Sequence, residues 1–372
     1  MERRKILIIG GGIAGAACAW ALTERRMGEV LVLEREDQLG SQATAQNAGI
    51  LRTLTNHPAT TALALETAAF LAAPPPGFCS VPLVNPVGLA LIPRTVAPAA
   101  IHAWRQRKAP GRVSTPDAAS LAALLPHYRG ERKGAIFVHD EGHIDTAALF
   151  EGFVRGARRG GARFETGVRV IEILRGPNGV GGVLLEGGRE LSADVVVIAA
   201  GGWAGPLARA AGSNLTFEAR RRHLLVTAAD DAVDEAWPVV WSEPDAFYAK
   251  PESGGLMICV CDEDPVDPDH CTPRPEVREL VAQRASEVLA GQGEARAAHF
   301  WAGLRTFSDD GGFTIGFDAD VRGLFWVAGL GGHGMSTSLG VGRAAAALLC
   351  NAKLEPNLER ALSPARFFGA PA

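Results

Sequence analysis

The chain has 372 residues, more than one simple hydrophobic core accommodates and a length that suits two domains. Hydrophobic residues make up 47% and charged residues 21%, which excludes a disordered or fibrous chain. A formal net charge of −4 argues against nucleic acid or an anionic membrane surface as the main partner.

Met1–Lys5 runs directly into an apolar strand and a glycine turn, without the apolar stretch of a secretory signal. No apolar run is long enough for a transmembrane segment. The expectation is a cytoplasmic protein whose six cysteines are free thiols.

In chain order, Lys5–Ile9 predicts a strand, Gly10–Gly15 a turn, Ala16–Arg26 a helix and Val30–Leu33 a second strand, together the size of a βαβ unit. Pro74-Pro75-Pro76-Gly77 opens a stretch of prolines and short apolar runs that lasts to residue 140. A second α/β block follows, with a helix over Thr146–Arg159, a strand over Arg163–Thr166, a hairpin at Pro177-Asn178-Gly179 and a buried strand over Val195–Ala200. Residues 221–304 hold strand-like pieces at His223–Thr227, Ala246–Lys250 and Leu256–Cys261, and one helix at Glu276–Leu289. Alternation puts Cys259 and Cys261 on one face of their strand, so no metal is needed to explain the pair, and none is expected. A last strand, Phe325–Ala328, leads through a glycine turn into an alanine-rich helix from about Ser336 to Cys350.

This order predicts an α/β chain with a Rossmann-type cofactor domain assembled from residues 1–75, 141–220 and 305–372. A β-rich substrate domain, 76–140 and 221–304, is inserted into it.

Gly10-Gly11-Gly12-Ile13-Ala14-Gly15 fits G-x-G-x-x-G. Gly10 permits the sharp turn, Gly12 lets a pyrophosphate approach the backbone, and Gly15 lets the helix lie close to the sheet. Glu34 ends the next strand, where ribose hydroxyls are expected. Two distant segments, Val197–Trp203 and Gly329–Met335, also look built for close backbone approach. A long dinucleotide running from the first turn to the last helix explains all three, and FAD has that length. The helix after Gly334 would then stabilise negative charge on the reduced ring.

These residues resemble the D-amino acid oxidase-like (DAO) family of FAD enzymes, which includes glycine oxidase, sarcosine oxidase and D-amino acid dehydrogenases. Ile8–Gly15 with Glu34, Ala199–Trp203, Trp301–Arg305 and Gly331–Met335 carry the resemblance along nearly the whole chain. The stretches Pro74–Cys79, Phe247–Pro251 and Trp301–Phe307 look most like the bacterial D-arginine dehydrogenase branch. The resemblance implies a glutathione-reductase-like fold of the DAO type. It also implies hydride transfer from an amine-bearing carbon to flavin N5, giving an imine that hydrolyses to a 2-oxo acid and ammonia. FAD contacts are expected from Gly10, Gly12, Ile13, Ala14, Gly15, Glu34, Arg35, Ser41, Thr44, Asn47, Ala48, Gly49, Ile50 and Val170. Further contacts are expected from Ala200, Gly201, Trp203, Gly331, Gly332, His333, Gly334, Met335, Ser336 and Thr337. Members that attach flavin covalently use a cysteine just after the position of Arg305. Thr306-Phe307-Ser308 stands there, so FAD is expected to be non-covalent.

At the substrate end, the resemblance makes Arg305 the carboxylate anchor, a task that suits the planar guanidinium fork. Arg222 matches a second carboxylate-binding arginine, although Arg220-Arg221-Arg222 also reads as a solvated basic edge. Tyr248 matches a tyrosine that bonds the carboxylate or lines the pocket, and it reads equally as packing. His333 stands in the last glycine turn, touching flavin or substrate or capping the turn. Arg52 lies near a carboxylate-binding arginine of sarcosine-oxidase-like relatives, which makes three arginines for one carboxylate or a substrate with two. Where the D-arginine branch has an acid for the guanidinium, this chain has Leu89, and the other pocket positions are Ile50, Val239 and Trp241. A cationic side chain would lose water there without an ionic partner. The expected substrate is an amino acid with a small or apolar side chain, most simply a D-amino acid. The alternatives are an N-substituted amino acid or a 2-hydroxy acid, the latter with His333 as base. Oxygen, a quinone and a soluble carrier stay open as electron acceptor.

Overall fold

The computed structural model describes residues 4–177, 179–291 and 296–368. Met1–Arg3 of the opening stretch and Asn178 of the expected hairpin turn lie outside the described residues.

Strand Lys5–Ile9 forms as expected, and its buried apolar residues place it inside a six-stranded sheet. It pairs in parallel with Glu29–Leu33 on one side and Val195–Ile198 on the other. Arg163–Glu165 extends the sheet beyond Glu29–Leu33, while Leu324–Ala328 and then antiparallel Thr314–Phe317 extend it beyond Val195–Ile198. The four-residue run Val195–Ile198 is fully buried, as a strand covered on both faces must be.

One face is covered by helices Ile13–Glu24, Pro58–Ala72, Thr146–Arg159 and Gly334–Leu349. Their small residues allow close approach: a Cβ on Gly342 would stand 2.5 Å from the Ala17 carbonyl oxygen. Between them Trp20, Phe70, Phe78 and Phe153 pack edge to face and stacked, with centroids 4.8–6.0 Å apart. The other face is covered by the Val170–Gly176, Gly179–Leu185 and Glu190–Ser192 meander and helix Ala204–Ala211.

A nine-stranded sheet stands beside this layer. Its spine is the antiparallel ribbon of Phe217–Thr227 and Ala297–Ser308, in register from Phe217↔Ser308 to Val226↔His299. Both strands run across the points near 220 and 304 at which the sequence changes character.

Several elements differ in extent from the reading above. The first helix begins at Ile13 and the alanine-rich one at Gly334, because each glycine turn passes straight into helix. The strand expected over His223–Thr227 begins at Phe217, and the charged Arg220-Arg221-Arg222 run lies within it. The strand expected to reach Cys261 ends at Cys259. Cys261 turns to φ 54° and its N–H meets Cys259 Sγ at 3.3 Å, so strand alternation does not carry both sulfurs. Among the described residues the cysteines are unpaired, no His, Cys, Asp or Glu group is placed to hold a metal ion, and no helix is long and apolar enough to cross a membrane.

Candidate active site

A cavity of about 480 Å³ runs along the C-terminal ends of the parallel strands, where ligands of open α/β sheets bind. Backbone makes the closest approach at its first end. Gly10 adopts φ 108°, and a Cβ there would come within 2.4 Å of the Ala199 carbonyl oxygen, so only glycine joins the two strands this closely. Helix Ile13–Glu24 opens beside it with no side-chain cap on Gly12 and no acid in its first turn, leaving the positive end of the helix toward the cavity. Thr44 Oγ1 accepts from Ile13 N–H at 2.9 Å and fixes the following loop against that turn. Glu34 accepts from Gly11 N–H at 2.8 Å and Glu36 N–H at 3.0 Å, which holds its carboxylate at the cavity wall.

The expected cofactor residues Gly10, Gly12, Ile13, Ala14, Glu34, Arg35, Ser41, Thr44, Asn47, Val170, Ala200, Gly201, Trp203, Gly331, Gly332, Gly334 and Met335 all line this one cavity. Gly15, Ala48, Gly49, Ile50, His333, Ser336 and Thr337 stand outside its wall. Gly15 packs on the Gly10 carbonyl, Ser336 Oγ donates to the Ile50 carbonyl, and Thr337 Oγ1 donates to the His333 carbonyl. Sequence reasoning missed Gln42, Ala43, Val168 and Arg169, which line the wall without belonging to a motif. The donor set fits a dinucleotide. The Ser41 hydroxyl is buried at the wall without a hydrogen-bond partner, and Gly201 at φ 51° leaves open space where a Cβ would stand.

Side chains dominate the far end. Arg305 is 8% exposed, lines the cavity, and donates from Nη1 to the Leu304 carbonyl at 3.0 Å. No carboxylate pairs with it among the described residues. Its stem passes Gly332, where a Cβ would stand 2.6 Å from Arg305 Cδ; that glycine makes room for the anchor. Helix Gly334–Leu349 begins here, again without a side-chain cap.

The other two arginines are already matched. Arg222 donates to the Asp262 carbonyl at 2.7 Å and to the Glu263 carboxylate. Arg52, 6% exposed, donates to Glu243 at 2.8 Å and to the Leu54 carbonyl at 2.9 Å. Of the three candidate arginines, two hold internal ion pairs and Arg305 has no acid partner among the described residues. The Arg52 guanidinium covers the Trp241 ring at 4.5 Å, and Trp241 stacks on Tyr248 at 4.5 Å. Tyr248 packs in one apolar cluster with Ile50, Leu89, Val239 and Cys259, with Trp241 against it, and none of these residues lines the cavity. Burial and the Cys259 thiol push the Tyr248 phenol well up, against the pull of Arg305 and Arg222. The phenol is therefore a neutral donor at physiological pH. His333 is pulled down to about 3 by burial and by Arg52, Arg305 and Arg222, so its imidazole is neutral.

The sequence model of one family, DAO (FAD dependent oxidoreductase), matches residues 5–348. Glycine oxidase of Geobacillus kaustophilus (strain HTA426) is 25% identical over 347 residues, 88% of this chain and 88% of that protein. 4-Methylaminobutanoate oxidase (formaldehyde-forming) of Paenarthrobacter nicotinovorans is 26% identical over 228 residues, 56% of this chain and 27% of that protein. The chain thus spans about a quarter of that relative's length. Among solved structures, L-proline dehydrogenase from P. horikoshii superposes with a TM-score of 0.85 at 20% identity, over 99% of this chain and 98% of that chain, a likeness of fold.

Proposed function

The chain belongs to the DAO family of FAD-dependent oxidoreductases, and from that premise we propose that it oxidises the amine-bearing carbon of an amino acid with one carboxylate and a small or apolar side chain. The observation that carries this reading is Arg305: a buried guanidinium at the cavity wall with no carboxylate paired to it among the described residues. Its fork receives a carboxylate through two parallel charge-assisted bonds. Arg52 and Arg222 keep Glu243 and Glu263, so one substrate carboxylate completes the charge balance.

Leu89 and Val239 are fully buried in one apolar cluster, with Trp241 packed against it, and in this reading that cluster borders the space for the side chain. A basic side chain meets no acid there and loses its hydration. The same apolar walls favour the neutral amine that this oxidation needs. The flavin, when bound, supplies the two-electron acceptor for the Cα hydride, and Thr306–Ser308 offers no cysteine to attach it. Acid precipitation is then expected to leave all flavin in the supernatant. In this reading residues 1–75, 141–220 and 305–372 carry the cofactor, and 76–140 and 221–304 carry the substrate.

D-amino acids are the first substrates to try. N-substituted amino acids form a second reading, supported by the relative whose name specifies a methylamino substrate. Anaerobic mixing with D-amino, L-amino, N-methylamino and 2-hydroxy acids tests both, read as bleaching of the visible flavin band. Bleaching by small or apolar D-amino acids supports the first reading, and bleaching by N-methyl compounds alone replaces it with the second. Bleaching by 2-hydroxy acids alone removes both and makes the neutral His333 the candidate base.

A further inference from the structure

Arg35, Arg169 and Trp203 come from three separate segments: the end of strand Glu29–Leu33, the turn before Val170–Gly176, and the short turn after Val195–Ile198. All three line the Glu34 end of the cavity. Their polar atoms converge on one carboxylate outside its wall. Asp269 Oδ1 accepts from Arg35 Nη1 at 2.6 Å and from Trp203 Nε1 at 2.8 Å, and its Oδ2 stands 3.9 Å from Arg169. The Arg35 guanidinium lies over the Trp203 ring at 4.6 Å, so the two stack on each other while sharing the Asp269 carboxylate.

Asp269 is not carried by the six-stranded sheet. It is delivered by an arm from the edge of the nine-stranded one. Asp264–Pro265 pairs with Arg220-Arg221, and Val266 N–H donates to the Ala219 carbonyl at 2.9 Å. Asp262 holds His223, Asp264 holds Arg274 at 2.6 Å, and the Asp269 N–H is capped by Asp267 at 3.0 Å. Pro268 then sits against Gly202, where a Cβ would stand 3.2 Å from the Pro268 ring. The arm is fixed at its root and touches the cofactor layer at its tip. The Trp203 and Arg35 donors also hold the Asp269 carboxyl below its ordinary range, so it stays charged.

We propose that Asp269 is a positioning residue for the cofactor: it pins Arg35 and Trp203 as the wall of the adenosine end, so that the β-rich part of the chain governs how fast bound FAD leaves. This rests on FAD lying with its adenosine at the Glu34 end.

The test follows FAD release from the diluted holoenzyme by the rise of free-flavin fluorescence, with the melting temperature of the apoprotein alongside. Asp269→Asn is expected to release FAD about tenfold faster, the scale of a lost charge-assisted bond, with the apoprotein's melting temperature unchanged. Asp269→Glu restores most of the retention. Release at the parent rate overturns the latch. So does faster release that comes with an equal loss of apoprotein stability and no rescue by glutamate. A parent protein that takes up no flavin even when FAD is added overturns the cofactor reading itself and the latch with it.

Discussion

The two ends of the cavity are built by opposite means. At the Glu34 end the closest approach is made by main chain, where Gly10, Gly12 and Gly201 keep Cβ atoms away and the first helix offers an uncapped N-terminus, with the Arg35 and Trp203 side chains set beside it. At the Arg305 end the wall is made of side chains whose charges are arranged in advance, with Glu243 on Arg52, Glu263 on Arg222, and no acid on Arg305. An end made of backbone cannot be respecified by changing a side chain, but one misplaced methyl destroys it. An end made of side chains keeps its shape through substitution and changes what it accepts.

The largest effect is therefore expected from the smallest group. Gly10→Ala puts a methyl 2.4 Å from the Ala199 carbonyl oxygen at φ 108°, and the variant should purify without flavin, read from its visible absorbance. A yellow Gly10→Ala protein would erase the contrast between the ends. Next, Arg305→Ala should keep its flavin and lose about a thousandfold in kcat/KM, the equivalent of two charge-assisted bonds at about 2 kcal/mol each. Loss of flavin with it would mean that Arg305 holds the cofactor rather than the substrate. Third, Glu243→Ala removes one partner of a pair whose side chains are 7% and 13% exposed, and it should lower unfolding free energy by about 3 kcal/mol in denaturant titrations. An unchanged midpoint would show that water already reaches Arg52.

The fourth effect is on pH. Burial holds His127 and His143 down at about 4 and, with three arginines, His333 at about 3, all below the ordinary 6.5. The unfolded chain takes up protons first as pH falls, so the stability these groups contribute is complete above about 6.5 and declines from there toward 4 and below. Melting temperature should drop steadily from pH 7 to pH 5, with no kinetic limb near 6.5 from His333. Protonation of His333 near 6.5 by NMR would place it in water rather than among the arginines.

The backbone-made end was legible in the sequence because a glycine turn, a helix and an acid at strand end are local patterns. Even the Thr146–Arg159 helix was read to its boundaries, since its apolar face and its Asp145 cap lie within one segment. The side-chain-made end was legible only in part. The resemblance pointed to Arg305, but nothing near Arg52 announces Glu243, which is 191 residues away. The Arg220-Arg221-Arg222 run hid a strand because three like charges suppress the alternation. Folded, Arg222 turns inward to Glu263, 41 residues on, while Arg220 reaches Glu218 at the surface. Asp269 carries no signal at all: it is one acid in a half-exposed turn, and only the fold brings it to Arg35 and Trp203.

The six-stranded sheet also sets the order in which the protein can be made. Its central strand is synthesised first, yet Ile6 waits for Val195, and Val196 waits in turn for Leu324. Until then the nascent chain carries an apolar strand with an open edge, the kind of surface that chaperones shield and that otherwise associates wrongly. Gly331 to Met335, the last part of the cavity wall, emerges later still. Capture of the flavin is thus an act of the finished polypeptide, and a cell short of flavin would accumulate complete, colourless chains rather than half-made ones.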